Sequence, residues 1–337
     1  MEFCWALPVS NVNECTMQAI QAEVSGFDSI LIASAKQAPD PWIMTMLLAT
    51  YTSRVRFLVA QNTNLLQPHI TMKALNSVSQ IYGNRCDINI VTGGIQQEAL
   101  STADFASHED RYLRTKEFVK CVHLLKGGAA SYKGSVFNYN QLTIEPPYTR
   151  DARVFIAGSS DEALNIAAAQ GDVLICYADT VGNFREKASV LKQKALLMGR
   201  SLKLGMYVDI LAAENTAEAV QIANRKFEMY TDAQQKMIKM YLNSVDSVGI
   251  RKNKQYAECD KLWVEDHLWA GLSKVSRSVG LTVIGSYEEV CRKLEHYHSA
   301  GVDYFLFSGY LDAGVCKVIG EHIIPYFKTS IKDREPH

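Results

Sequence analysis

The chain has 337 residues, with 35 Lys and Arg against 36 Asp and Glu. That balance excludes the basic surplus that a broad grip on nucleic acid requires, and an apolar fraction of 47% excludes disorder over most of the length. No apolar run approaches the ~20 residues that span a bilayer, and MEFCWALPVS lacks the basic start and apolar length of a signal peptide, so the expected protein is cytoplasmic, with no membrane or nucleic-acid partner.

In chain order, eight short apolar runs read as strands: FCWAL from Phe3, SILIA from Ser29, VRFLVA from Val55, CDINIV from Cys86, RVFIAG from Arg153, DVLICY from Asp172, LKLGMYVDIL from Leu202 and DYFLFSG from Asp303. They are nearly continuous in apolar residues, as strands covered on both faces are. Helical spacing fills the gaps. Met17 to Ile20 precedes the turn at Ser25 and Gly26, and Pro41 opens a stretch that ends near Thr52. Val290, Leu294 and Tyr297 share a face before Gly301, and Val315, Ile319 and Ile323 share another before Pro325. Eight such alternations predict an α/β protein, a (β/α)8 barrel with insertions after strands four and seven. An open doubly wound sheet is the alternative, although no glycine fingerprint follows the first strand. One domain is expected over 1–330, with 331–337 a frayed tail.

Three connections exceed ordinary loop length. The first runs from Thr92 to about Asp110. The second, Ser131 to Tyr148, alternates like a hairpin. The third, from about Asn243 to Gly280, begins polar and ends rich in Ser and Gly. The eight cysteines lack any C-x-x-C or metal-type spacing and read as buried free thiols, with no metal site.

Chemistry in a barrel lies at the C-terminal ends of its strands. There, Gly158-Ser159-Ser160 leaves strand five and opens a helix, combining close backbone approach, hydroxyl donors and free amides. It reads either as a phosphate cradle or as an ordinary helix cap at Ser160. Asn89 is polar within an apolar strand, so its amide serves either a heterocycle or a structural bond inside the barrel. Val91 and Thr92 follow it into the loop that carries His108, the histidine best placed for chemistry, and Tyr112. Tyr207 and Asp209, two apart, share one face of strand seven. Asp209 reads as a base, a polar anchor or a solvated strand-end carboxylate. There is no H-E-x-x-H, Walker loop or G-x-S-x-G elbow.

Many short stretches then coincide in order with one family: Trp5-Ala6-Leu7-Pro8, Asp40-Pro41-Trp42, Phe57-Leu58-Val59-Ala60, Gly83-Asn84-Arg85, Asn89 to Gly93, His108 to Tyr112, Gly158 to Asp161, Leu268 to Gly271 and Ser308-Gly309-Tyr310. From Phe3 to about Phe327 the chain resembles the bacterial-luciferase-like flavin monooxygenases, the alkanesulfonate monooxygenase branch above all. The resemblance implies a TIM barrel and reduced FMN (FMNH2) supplied by a separate NAD(P)H-dependent flavin reductase. It implies O2 as co-substrate, a flavin peroxide that oxygenates a small organic molecule, and a homo-oligomer, dimer or tetramer. It places the FMN phosphate at Gly158, Ser159, Ser160 and Tyr112. Ala60, Asn89, Val91 and Thr92 complete the cofactor site. Tyr310 matches an active-site tyrosine, so the catalytic candidates are Asp209, Tyr310, Tyr207 and His108. Residues from Asn243 to Gly280 match a mobile lid.

The departures fall on the substrate side. Ala38 stands where the sulfonate enzymes carry Cys, Val9-Ser10 where they carry Thr-His, Tyr207 and Asp209 where they carry Arg and His, and Ser276, beside Arg277, where they carry a lid arginine. Losing the cationic pair removes an anion clamp. The expected substrate is therefore a non-sulfonate biosynthetic intermediate, oxygenated by hydroxylation or by Baeyer–Villiger-type insertion. The alternatives are an alkanesulfonate monooxygenase releasing sulfite, an F420-dependent oxidoreductase on the same barrel, and a catalytically silent flavoprotein.

Overall fold

The computed structural model describes residues 1–8, 11–93, 104–148, 152–243, 245, 247–259 and 261–332. The expected departure at Val9 and Ser10, most of the loop after strand four and residues 333–337 of the tail expected to fray lie outside the described residues.

The strands are Glu2–Ala6 (β1), Ser29–Ile32 (β2), Arg56–Asn62 (β3), Cys86–Val91 (β4), Ala130–Lys133 (β5), Asn138–Leu142 (β6), Val154–Ala157 (β7), Val173–Tyr177 (β8), Lys203–Ala213 (β9), Trp263–Glu265 (β10), Leu268–Trp269 (β11), Thr282–Ser286 (β12) and Val302–Ser308 (β13). The helices are Val12–Val24 (α1), Pro41–Tyr51 (α2), Pro68–Tyr82 (α3), His108–Lys126 (α4), Asp161–Gln170 (α5), Val181–Leu197 (α6), Thr216–Glu228 (α7), Asp232–Asn243 (α8), Val248–Glu258 (α9) and Tyr287–Ser299 (α10), followed by a last helical run from Val315 to Lys332.

Eight strands close a parallel ring in the order β1, β2, β3, β4, β7, β8, β9, β13 and back to β1. They are the eight runs read from the sequence. β5 and β6 form the expected hairpin, tied down where the Glu117 carboxylate accepts three backbone N–H bonds at Ser135, Val136 and Phe137. Three strands, β10, β11 and β12, were not foreseen. β9 is 11 residues long and outruns the ring, and its outer half pairs in parallel with β12, Thr282 opposite Asp209 through Ser286 opposite Ala213. β11 and β10 extend this flap in antiparallel fashion.

Strand alternation sorts the core into two layers. Phe3, Trp5, Phe57 and Phe305 face outward into the layer under the helices. Cys4, Ala6, Leu58, Phe155, Tyr304 and Leu306 fill the barrel interior, with Tyr207 packed on them. The N-terminal ends of the strands are tied by charge. Asp87, fully buried in β4, accepts from Arg56 of β3 and from Arg153 just before β7, at 2.7 and 2.9 Å. Arg153 and Lys203 of β9 both reach Glu2 of β1 at 2.7 Å. Among the described residues no helix is long and apolar enough to cross a membrane.

The segment read as a long polar loop is built instead of regular pieces: α9, β10, β11 and a 3-10 turn at Gly271–Lys274. α9 starts at Ser247, whose hydroxyl accepts from the Ile250 N–H.

Candidate active site

A cavity of about 270 Å3 opens at the C-terminal ends of the strands. Ten of the twelve residues proposed from sequence line it: Ala60, Asn89, Val91, Thr92, His108, Tyr112, Gly158, Ser159, Ser160 and Tyr207. Asp209 and Tyr310 do not.

The cradle is set by local sequence. Gly158 ends the turn after β7, where a Cβ would come within 2.6 Å of the Ala163 methyl, so only glycine lets the chain turn into α5 there. Ser160 caps α5 by accepting from the Ala163 N–H at 3.3 Å, and its hydroxyl donates to the Tyr112 phenol at 2.8 Å. Both functions read into Ser160, cap and cavity wall, thus fall on one side chain. Ser159 beside it does not cap.

His108, Arg111 and Tyr112 were read as lying in a loop. They occupy the first turn of α4, which starts because Ser107 accepts from the Asp110 N–H. Spacings of three and four put all three on one helix face, and all three line the cavity. The His108 and Tyr112 rings lie 4.9 Å apart, and His108 Nε2 stands 3.9 Å from Glu162.

Asn89 points inward from β4 and is 6% exposed. Its carboxamide oxygen has no hydrogen-bond partner among the described residues, a costly state unless a ligand donates to it. The neighbouring Thr92 hydroxyl accepts from Thr115 at 3.1 Å, which links it to the packed side of α4.

Asp209 differs from the expectation of a group at the reacting atoms. It is fully buried at the ring's rim, opposite Ser308 of β13, where its carboxylate accepts from Ser308 Oγ at 2.8 Å, from the Tyr310 N–H at 2.7 Å and from Thr282 Oγ1 at 3.3 Å. Burial pushes its carboxyl up to about 7, with these bonds opposing. Asp209 therefore joins β9, β12 and the turn after β13. Tyr310 is 39% exposed and its hydroxyl bridges Tyr230 at 2.7 Å and the Val275 carbonyl at 3.1 Å. Burial raises its phenol well above the ordinary value. Arg277 lies over the Tyr241 ring, away from the cavity wall.

The roof comes from the segment matched to a lid, Asn243 to Gly280, but as a helix rather than the expected loop. Ser247, Val248, Gly249 and Ile250, the start of α9, line the cavity. A Cβ on Gly249 would lie 2.8 Å from the Tyr177 ring and 3.4 Å from Ser159 Oγ, so this backbone sits directly on both. α9 is held by Asp179 after β8, whose carboxylate accepts from Lys252, Tyr256, Asn183 and the Thr180 N–H. Burial works to raise the Asp179 carboxyl, but the bonds from Lys252, Asn183 and Thr180 outweigh it and hold it below the usual range. A serine cap followed by a three-residue spacing to Ile250 was the available signal.

Residues 1–304 match the family model described as luciferase-like monooxygenase. The chain belongs to the luciferase-like monooxygenase family. The enzyme class is flavin-dependent monooxygenase. Solved structures share the fold. A riboflavin lyase with modified FMN and its substrate riboflavin is 16% identical, with 98% of this chain and 92% of that chain covered and a TM-score of 0.81. An EDTA monooxygenase from Chelativorans sp. BNC1 is also 16% identical, over 98% and 94%, with a TM-score of 0.78. An F420-dependent secondary alcohol dehydrogenase in complex with an F420-acetone adduct is 16% identical, over 96% and 98%, with a TM-score of 0.72.

The cavity of this luciferase-like monooxygenase fits a flavin mononucleotide. The open Asn89 oxygen can accept from a ring N–H. The start of α5, with Ser159, Ser160 and Tyr112, presents amides and hydroxyls to a phosphate.

Proposed function

We propose that the protein binds reduced FMN delivered by a separate NAD(P)H-dependent reductase and uses O2 to oxygenate a small organic molecule other than a sulfonate. The observation that carries this reading is the convergence of the Asn89 acceptor and the Ser159–Ser160 cradle in one cavity. Ser159, Ser160 and Tyr112 would hold the phosphate at the start of α5. Asn89 would fix the ring system by accepting its N–H, with Thr92, Val91 and Ala60 beside it. Bound FMNH2 would supply the electrons that activate O2. The first turn of α9 would keep water from the reacting atoms.

The non-sulfonate assignment rests on charge. Among the described residues, the cavity's cationic side chain, Arg111, comes from α4 with His108 beside it, next to the phosphate cradle. Among the described residues, the lining contributed by β8, β9, β13 and α9 is uncharged. A sulfonate there would lose its hydration without gaining a cationic partner.

Oxygen uptake with FMNH2 and a panel of neutral and sulfonated substrates tests the proposal. The expected result is O2-dependent oxygenation of a neutral compound. Sulfite release from alkanesulfonates would overturn the substrate assignment. Oxidation of reduced F420 without O2 consumption would replace oxygenation by hydride transfer. Tight FMN binding with no turnover on any substrate would leave a silent flavoprotein.

A further inference from the structure

Tyr177 ends β8 and Tyr207 lies opposite it in β9, in register within the parallel pair. The two rings stack, with centroids 5.6 Å apart and planes 21° apart, and both line the cavity. Neither phenol hydroxyl has a hydrogen-bond partner among the described residues, whereas four other tyrosines are bonded within the fold. Tyr304 bonds Ser29 at 2.6 Å, Tyr297 bonds the Asp179 carbonyl at 2.6 Å, Tyr256 bonds the Asp179 carboxylate at 2.9 Å and Tyr310 bonds Tyr230. Both residues are half-buried in the cavity wall, so a molecule bound there can supply the partner. Two phenols that face one cavity without any partner mark a place where a ligand supplies it.

The surroundings define that ligand. Ile175 and Leu306 pack with Tyr207 inside the barrel and line the same cavity, and the Gly249 backbone of α9 lies against the edge of Tyr177. No charged side chain reaches the cavity from these elements among the described residues. Burial raises both phenols, Tyr177 to about 12, so they stay neutral and can donate. A neutral donor pair on an aromatic wall suits a flat, uncharged molecule with an acceptor oxygen on its edge. An aliphatic chain would leave the ring faces unmatched, and an anion would meet no cation.

We propose that Tyr177 and Tyr207 are the specificity-determining residues for the substrate, an uncharged aromatic ring bearing a hydroxyl or carbonyl oxygen. The pair stacks on the ring and its hydroxyls hold that oxygen. This rests on the reading of the cavity as a flavin monooxygenase site.

The test is calorimetric binding to the FMN-loaded protein of naphthalene, 2-naphthol and naphthalene-2-sulfonate, which share one ring system. The expected order places 2-naphthol first and the sulfonate at least about tenfold weaker. Tyr177→Phe and Tyr207→Phe each remove only an oxygen that bonds nothing in the protein, so folding is not at risk. Each should weaken 2-naphthol by about fivefold, one neutral hydrogen bond, while naphthalene and FMN affinities stay within about twofold, since neither loses a bond. Failure of 2-naphthol to bind, or a sulfonate that binds as tightly, overturns the proposal and leaves the flavin assignment standing. Phe variants that lose FMN and keep 2-naphthol also overturn it, and assign the pair to the cofactor. Wild-type protein that binds no FMN overturns both readings together.

Discussion

The two serines of the cradle have different duties, and separating them tests the phosphate site. Ser160 Oγ caps α5 and bonds Tyr112, whereas Ser159 does neither. Ser160→Ala should therefore destabilise the flavin-free protein by the loss of a helix cap, about 1 kcal/mol. With 337 residues and an unfolding entropy of about 2.1 cal/mol/K per residue, the slope at the midpoint is roughly 0.7 kcal/mol per kelvin. The expected fall in Tm is thus about 1–2 °C. Ser159→Ala should leave that Tm unchanged. Both should weaken FMN, because each removes a bond to a charged oxygen, about 1.5–3 kcal/mol or roughly 10- to 150-fold. Fluorescence titration of FMN and thermal melts without flavin read the two effects separately. Unchanged FMN affinity in Ser159→Ala would refute the cradle and reduce the motif to a helix start. A Tm loss in Ser159→Ala matching that of Ser160→Ala would show that its role is structural.

Three further outcomes are expected. The Asp209 carboxyl is raised to about 7 in the fold. The folded protein therefore holds more protons than the unfolded chain between about pH 4 and that value, and stability falls as pH rises through this window. Asp209→Asn should flatten the Tm profile over that range, and an unchanged slope contradicts the assignment; turnover lost by ~100-fold with FMN binding intact would instead give it the role of a general base. Asp179→Asn should free α9, seen as faster tryptic cleavage within 245–280 and hydrogen peroxide in place of product; because the native carboxyl is lowered, the same release should appear in wild type only as pH falls through that lowered value. Asp87→Asn leaves two arginines without their buried partner, so a loss of about 3 kcal/mol, or ~4 °C at the slope above, should appear in thermal melts; an undiminished Tm would show the cluster to be inert.

The barrel was legible because its strands are buried on both faces, which leaves continuous apolar runs in the sequence. The cradle was legible because Gly158, Ser159 and Ser160 act within one turn. β12 was not, since its apolar run is short and follows a stretch rich in Ser and Gly. α9 was hidden for another reason. Its polar run from Arg251 to Gln255 looks like a solvated loop, and what holds it is Lys252 reaching Asp179, 73 residues away. Asp209 shows where periodicity misleads. It does share a face with Tyr207, but at Asp209 β9 is flanked by both β13 and β12, so the carboxylate is taken up by Ser308 and Thr282 and does not line the cavity. The Tyr177–Tyr207 stack depends on the register of two strands, which no local pattern encodes.

The charged cluster at Glu2, Arg56, Asp87, Arg153 and Lys203 ties four of the eight ring strands and the residue leading into a fifth together at the end away from the cavity. Ring closure and substrate choice are consequently assigned to opposite poles of the same strands. Residues at the mouth, such as Tyr177 and Tyr207, can be exchanged without loosening the seam that keeps the barrel shut. Such a division lets one frame be refitted repeatedly for new chemistry, and it locates the safe ground for redesign. Libraries that vary the rim and spare these five side chains should retain folded protein far more often than libraries that vary both poles.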